Sequence, residues 1–273
     1  MRATNSLRAV VCLGGLFLAG SAGAVTINFQ QGLTNDYVTN YSGTNDTSFN
    51  AHPSDGYGNG NMGGADFFWS NQTTTWEERK AILSFDLSAL TGQNLAVDSA
   101  TIILRPVING SPDNVLVSLH AIAAANAGWI QGTNTGPGPV ASAGSATWNQ
   151  KIHGVANWAG SAGLNTPGVD YDPTAAATGV YDPASSDPDN YNLPVSLVQS
   201  WINTPADNAG LVMLTDNNPT NGYYRFAEYF SSEATNSSLR PTLSIEAHVV
   251  PEPSSLAAAS LAGIALLRRR RTV

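Results

Sequence analysis

Tryptophans and a few basic residues are the side chains of this sequence whose chemistry best suits ligand binding. Trp76, Trp129 and Trp158 border segments rich in Gly, Asn and Ser, where we expect exposed indole rings, whereas Trp148 and Trp201 are expected in the core. Flat aromatic faces stack on the apolar side of sugar rings, while planar polar groups bind the hydroxyls. The pattern therefore predicts binding of carbohydrate.

Three cations are candidates for a second type of contact. Lys80, Arg105 and Arg225 fall at polar-face positions of predicted strands. If those strands are neighbours, the side chains form a positive patch that binds uronic acids through charge-assisted hydrogen bonds. Scattered surface charge is the alternative that the sequence leaves open.

Catalytic and zinc chemistry have little support. His52, His120, His153 and His248 lack the i, i+2 or i, i+4 spacing of a zinc site. The sequence has no G-x-S-x-G elbow and no Walker loop, and its only cysteine is Cys12. We expect a protein that is not an enzyme. A polysaccharide lyase or hydrolase is the alternative, because paired carboxylates can reach a cleft from separate strands.

Clusters of Asn and Asp are compatible with one structural calcium ion. They lie at residues 35–36, 45–46 and 216–218, and calcium prefers oxygen ligands supplied by loops. No EF-hand loop is present, and no other cofactor is predicted.

Two long predicted strands at residues 79–87 and 98–105 stand at the centre of the domain. Period-2 alternation with β-branched residues is typical of a strand with one face in a core. The expected core positions are Ala81, Leu83, Phe85, Leu87, Ala100, Ile102 and Leu104.

The rest of the chain predicts an all-β fold, a jelly-roll-type β-sandwich with one short helix at residues 194–203. Short extended segments alternate with Gly, Asn and Pro turns, and helical periodicity is nearly absent. Residues 43–64 and 161–190 read as surface loops. The other expected strands are 25–29, 36–41, 65–69, 115–121, 210–215, 223–229 and 240–248.

The N-terminal residues 1–24 predict a secretory signal peptide. Arg2 and Arg8 precede an apolar run at 9–19, and small residues follow up to Ala24, after which we place the cleavage. A membrane anchor is the alternative reading. The sandwich domain then spans residues 25–248 and contains no cysteine.

The C-terminal residues 249–273 carry three ordered features. Pro251, Glu252 and Pro253 precede an apolar run at 256–267, and a basic cluster follows. Arginines behind an apolar segment hold it with its end in the cytoplasm. The cluster consists of Arg268, Arg269, Arg270 and Arg271.

This C-terminal arrangement resembles the PEP-CTERM sorting signal of Gram-negative bacteria. The resemblance implies transient insertion into the inner membrane, recognition by an exosortase-type sorting protease, and release to or attachment at the cell surface or extracellular matrix. A plain C-terminal membrane helix is the alternative.

Charge narrows the set of partners. The whole chain has a formal charge of −8, and residues 25–250 keep six basic and nineteen acidic residues, a charge of −13. Such a domain repels phosphate backbones, so nucleic acid is not an expected partner.

Short motifs occur along the domain in a fixed order. They are RKAILSFDLS from Arg79, DSATIIL from Asp98, TWN from Thr147, VQSW from Val198, NAGL from Asn208, FSSE from Phe230 and RPTL from Arg240. Together they resemble the DNRLRE domain, which is similar to a family of carbohydrate-binding modules. The chain departs from the family at residues 192–194, where an Asp-Val-Thr turn often precedes the helix.

The DNRLRE resemblance implies a jelly roll with a non-catalytic role on extracellular polymers. We therefore expect a secreted or cell-surface protein that binds or organises extracellular polysaccharide. A structural surface or matrix protein with no defined glycan ligand is the second hypothesis.

Overall fold

The computed structural model describes residues 23–51, 57–71, 78–108, 113–136, 138–216 and 225–251 of the 273-residue chain. Within these ranges the chain forms eleven strands, one α-helix and five short 3₁₀ turns. In chain order the elements are β1 (Val25–Gln30), β2 (Thr44–Ala51), a turn at Tyr57–Asn59, β3 (Phe67–Ser70), β4 (Glu78–Phe85), a turn at Ser88–Leu90, β5 (Leu95–Leu104), β6 (Val115–Ala121), a turn at Ala124–Asn126, β7 (Ala177–Tyr181), β8 (Asp189–Asn192), α1 (Val195–Asn203), a turn at Pro205–Asp207, β9 (Leu211–Thr215), β10 (Ala227–Phe230), a turn at Ser237–Leu239 and β11 (Thr242–Val249).

The strands build two main antiparallel sheets and a small third one. One main sheet has the strand order β1-β11-β5-β8, and the other has the order β2-β4-β9-β6-β7. Strands β3 and β10 pair with each other in the two-stranded sheet. The expected all-β class is confirmed, and the arrangement is consistent with a β-sandwich.

The main core lies between the two large sheets. The inward faces of β4 and β5 are those that alternation predicts. At the predicted core positions, every second residue of each strand is apolar and lies in the core. The helix and the small sheet add to the same cluster. Representative fully or nearly fully buried members are Phe29, Leu83, Ile102, Leu104, Val117, Val198, Met213, Tyr229 and Ile245.

The five-stranded sheet is also buried on its outer face. The segment between β6 and β7, residues 122–176, folds over that face and forms a second apolar cluster with it. The cluster joins sheet residues to three tryptophans of the covering segment. Its members include Phe49, Ile82, Val212, Leu214, Trp129, Trp148, Trp158 and Leu164.

Three element predictions are wrong. Residues 36–41 form bends and no strand, whereas β2 runs through the predicted loop 43–64, and β7 and β8 lie in or at the end of the predicted loop 161–190. The sequence TNDTSFNA of β2 is mostly polar, yet six of its eight residues are buried. Alternation cannot reveal a strand that is covered on both faces and buries polar side chains through hydrogen bonds.

The predicted helix is confirmed at α1, with two local corrections. Pro194 is the N-cap and not the first helical residue, and Val195 is exposed while Val198, Trp201 and Ile202 are buried. Gln199 ties the helix to the sheet, because its side chain accepts from Val97 N and donates to Leu95 O. The helix therefore packs against β5 at one edge of the main core.

The predicted signal peptide and the predicted sorting signal lie almost entirely outside the described residues. Ala24 and Pro251 are described, whereas residues 1–22 and 252–273, which include Glu252, Pro253 and Arg268 to Arg271, are not. Across the parts of the chain that the structure describes, no helix has the length and apolar character needed to span a membrane.

The packing predicts unequal effects for two adjacent isoleucines of β5. Ile102 is 0 % exposed, whereas its neighbour Ile103 is half-buried on the opposite face. Replacing Ile102 by Ala leaves a cavity and should lower the free energy of unfolding by about 3 kcal/mol. Ile103→Ala, the matched control, should cost less than about 1.5 kcal/mol in the same urea titration. Equal losses would show that β5 does not face the core as described.

Candidate functional site

Two of the tryptophans predicted to be exposed are buried, and the third is not described. Trp129 is 8 % exposed and Trp158 is 4 % exposed, whereas Trp76 lies outside the described residues. Each buried indole donates Nε1 to backbone, Trp129 to Ala209 O at 2.8 Å and Trp158 to Thr147 O at 2.9 Å. Both rings hold the covering segment on the sheet. The prediction that Trp129 and Trp158 are exposed is therefore wrong. Trp148 and Trp201 are buried, as predicted.

The expected three-cation patch does not form. Lys80 is 2 % exposed, since the covering segment buries the face of β4 that was predicted to meet solvent. Arg225 is paired with Asp216 Oδ2 at 3.1 Å and also donates to Asn114 O. Arg105 follows β5 in the other main sheet, and the burial of Lys80 alone prevents the three cations from forming one exposed patch.

A different aromatic surface occupies the outer face of the two-stranded sheet. We define the aromatic patch as Phe67, Trp69, Phe226 and Phe230, all of which are half-buried. Trp69 stands at its centre, with its ring centroid 6.4 Å from that of Phe67 and 5.3 Å from that of Phe226. Both contacts are edge-to-face, a favourable arrangement for aromatic rings.

Strand alternation explains why these rings face outward. Phe68 and Ser70 point inward on β3, where Phe68 joins the main core, so Phe67 and Trp69 must take the other face. The register places Phe230 opposite Phe67 on the same face.

Hydrogen bonds to the five-stranded sheet anchor β3. Trp69 N donates to Ser48 Oγ at 2.8 Å, and Ser70 Oγ donates to Met213 O at 2.8 Å. The patch is therefore carried by paired strands, and its central residue is fixed through its own backbone.

Two arginines border the aromatic patch. Arg79, at the start of β4, places its guanidinium carbon 3.5 Å from the centroid of the Trp69 ring. Arg105 lies on the other side of β10, where Phe230 N donates to Arg105 O at 3.0 Å. The adjacent bridge between Pro106 and Tyr229 puts Pro106 on the inner face, so Arg105 shares the outer face with Phe230.

Sequence reasoning identified one part of this surface and missed the rest. Arg105 was a predicted site residue, whereas Trp69 was only one of six tryptophans and Phe67, Phe226 and Arg79 were not singled out. The available signal was the alternation in β3, where a buried Phe68 between Phe67 and Trp69 requires two aromatic rings on the other face.

A group of tyrosines is the other concentration of functional side chains. Tyr229 OH donates to Asp189 Oδ2 at 2.7 Å and shares a 2.7 Å hydrogen bond with Tyr191 OH. Burial raises the pKa of both tyrosines and of Asp189 above the usual values. Since Tyr181, Tyr191 and Tyr229 are each 0 % exposed, the group lies inside the core and joins the sheets there.

The Asn and Asp clusters considered for calcium make hydrogen bonds within the fold where they are described. Asn35 Oδ1 accepts from the backbone of Tyr37 and Val38, and Asp46 Oδ2 accepts from Ser232 N at 2.7 Å. Among the described residues, no three carboxylate, His or Cys side chains come together as a metal site. Of the third cluster, only Asp216 is described.

Comparison of the chain with protein-family models finds no match, and comparison with curated proteins finds none either.

Buried Asp46 predicts a pH dependence of stability. Burial raises the pKa of Asp46 to about 7. The negative charge of Glu233 also raises this pKa, whereas the hydrogen bonds from Ser232 oppose the shift. In the unfolded chain the carboxyl titrates near pH 4, so the folded state holds an extra proton between about pH 4 and pH 7. Stability should therefore fall as pH rises through this range and level off above it.

The variant Asp46→Asn tests this, because a neutral amide can accept from Ser232 N without carrying charge. In denaturant titrations it should be more stable than the wild type by about 4 kcal/mol at pH 8 and nearly equal at pH 4. Asp36→Asn, at an exposed position, is the control and should show no such pH-dependent difference. A loss of stability in Asp46→Asn that is the same at both pH values would contradict the assignment.

Proposed function

We propose that this protein is a non-catalytic binder of extracellular acidic polysaccharide and that the aromatic patch is its binding surface. The observation that carries the proposal is the half-buried Trp69 ring, held between two phenylalanines on a rigid sheet and bordered by Arg79 and Arg105.

The chemistry of the patch matches that of a polyuronate, a polymer of uronic acids. Aromatic rings contact the C–H faces of pyranose rings, and a guanidinium binds a carboxylate with two parallel hydrogen bonds. The surrounding domain is strongly acidic, with a formal charge of −13 between residues 25 and 250. An acidic ligand would therefore be repelled by most of the surface, and the two arginines favour its binding at the patch.

The type of sandwich that we infer for this fold supports the same proposal. We assign the sandwich to the jelly-roll type and to the DNRLRE-like group of carbohydrate-binding domains, on the motifs given above. Several of these motifs hold the sandwich together here. Ser232 of FSSE donates to Asp46, and Arg240 of RPTL donates to Ala234 O and Gln31 O.

The terminal segments complete the proposed role. A signal peptide at residues 1–24 exports the chain, and a PEP-CTERM-like segment at residues 249–273 directs it through the inner membrane to an exosortase-type protease. The protein then acts at the cell surface or in the extracellular matrix of a Gram-negative bacterium, where it binds or organises polysaccharide.

A structural role without a glycan ligand is the competing function. It is favoured by the burial of Trp129, Trp148, Trp158 and Trp201, which leaves Trp69 as the half-buried tryptophan among the described residues. The two functions differ in whether the patch binds sugar.

Replacing Trp69 by Ala should weaken binding to polyuronate about tenfold, because the central stacking surface is lost. Affinity electrophoresis of the purified protein in gels with and without polyuronate measures this effect. Tyr37→Ala, at a half-buried aromatic beside β1 in the other sheet, is the matched control and should migrate like the wild type. A wild-type protein that polyuronate does not retard would reject the proposal in favour of the structural role.

The arginines make a separate prediction about ligand charge. Arg105→Ala should reduce retardation in polyuronate gels but leave any binding to a neutral glucan unchanged, and added salt should weaken only the first. Equal effects in both gels would show that Arg105 does not recognise the charge of the ligand.

A further inference from the structure

Lys80 lies next to Phe49 and Trp148 of the second apolar cluster, with three polar groups around its amine. Its Nζ donates to Leu164 O at 3.2 Å and to Asn165 Oδ1, and it lies 3.4 Å from Glu78 Oε1. Glu78 and Lys80 project from the same face of β4, because they are two residues apart on one strand. Asn165 comes from the covering segment, so the contact joins two parts of the chain that are distant in sequence.

The surroundings of this amine exclude water. Lys80 is 2 % exposed, its Nζ lies 5.5 Å from the centroid of the Trp148 ring, and Phe49 is its cross-strand partner on β2. Trp158 packs against Phe49 at 5.7 Å between ring centroids. Burial lowers the pKa of Lys80 below its usual value, although Glu78 and Asp170 oppose this shift. An amine that loses its proton is a nucleophile, and this amine lies away from solvent, next to the exposed side chain of Asn165.

The loop that carries Asn165 is fixed in place by a buried carboxylate. Asp170 accepts from the backbone amides of Gly160, Ser161 and Thr166 at 2.8 to 3.0 Å and from Asn126 Nδ2 at 3.1 Å. Burial raises the pKa of Asp170, but these hydrogen bonds outweigh it and leave the pKa below its usual value. An anchored carboxylate on one side of the loop keeps the side-chain amide of Asn165 against the amine.

We propose that Lys80 Nζ and Asn165 Cγ become joined by an intramolecular isopeptide bond, with Glu78 moving the proton. This is a covalent modification of the folded protein, and it is independent of the polysaccharide-binding function proposed above.

The step balances without an oxidant or a cofactor. The Glu78 carboxylate takes one proton from the Lys80 ammonium, and the lone pair of the neutral amine attacks Asn165 Cγ. The C–N bond to Asn165 Nδ2 then breaks, and this nitrogen takes a second proton from Nζ and leaves as ammonia. Ammonia takes the proton held by Glu78 and departs as ammonium, so the carboxylate is restored and a secondary amide remains.

The bond would give the domain a covalent cross-link, which its lack of cysteine otherwise prevents. The only cysteine is Cys12, in the predicted signal peptide, so the domain at residues 25–248 has no disulfide available. A Lys80–Asn165 amide would fasten the covering segment to β4 of the five-stranded sheet, and long closed loops are where a cross-link constrains the unfolded chain most.

Intact-mass spectrometry of the purified full chain tests the proposal. The wild type should be about 17 Da lighter than its sequence requires, because one ammonia has been lost. Asn165→Ala should restore the missing mass after correction for the substitution, whatever processing the ends of the chain have undergone. Asn165 is exposed, so this variant is expected to fold. Tandem spectrometry of a digest should find the peptides of Lys80 and Asn165 joined.

Two further variants separate the bond from a merely structural lysine. Glu78→Gln should keep a wild-type circular dichroism spectrum. Its mass should equal the mass that its own sequence requires, with no loss of ammonia, because the proton acceptor is gone. Asn157→Ala, at another exposed asparagine of the covering segment, should keep the deficit. A folded wild type without the deficit, or a deficit that persists in Asn165→Ala, would overturn the proposal.

Discussion

Burial of the five-stranded sheet on both faces is the constraint on which the rest of this structure depends. Its inner face packs against the four-stranded sheet, and its outer face lies beneath residues 122–176. A covering segment with little regular structure leaves many backbone groups to satisfy, and buried groups must be paired. Asp170 and the indoles of Trp129 and Trp158 meet much of this need by bonding to backbone. Covering the sheet therefore places rings and charged groups in the interior.

This constraint explains what the sequence could and could not predict. The inward faces of β4 and β5 follow from alternation and are correct, and so is α1 from its helical stripe. Lys80 occupies a position that alternation marks as polar, but a sequence pattern cannot show that a distant segment folds over that face. Strand β2 was missed for the same reason. Its polar residues are buried because they have partners, such as Ser48 with Trp69 and Asp46 with Ser232, and these contacts are remote in sequence.

The position of the aromatic patch depends on which tryptophans pack onto a sheet and which remain on an uncovered strand face. Tryptophans next to Gly-rich segments were expected at the surface, yet a large apolar ring beside a flexible segment is also the most effective means of pinning that segment to a sheet. Trp158 illustrates this, with its Nε1 bonded to backbone and its ring against Phe49. Trp69 differs because β3 already contributes Phe68 to the core, and its opposite face has no second layer among the described residues. Strand geometry, and not the composition of neighbouring residues, determines which ring remains accessible.

Both inferred sites place a cation beside a tryptophan, but the two sites differ in solvation. At the patch, Arg79 stacks on the half-buried Trp69 ring, and its permanently charged guanidinium can attract a carboxylate. Beneath the covering segment, Lys80 faces Trp148 and is 2 % exposed, and burial lowers the pKa of its amine. Lysine suits the second environment because its amine can lose a proton, which a guanidinium does not do in proteins. Arg79 and Lys80, adjacent on one strand, belong to different inferred sites because they point to opposite faces of the sheet.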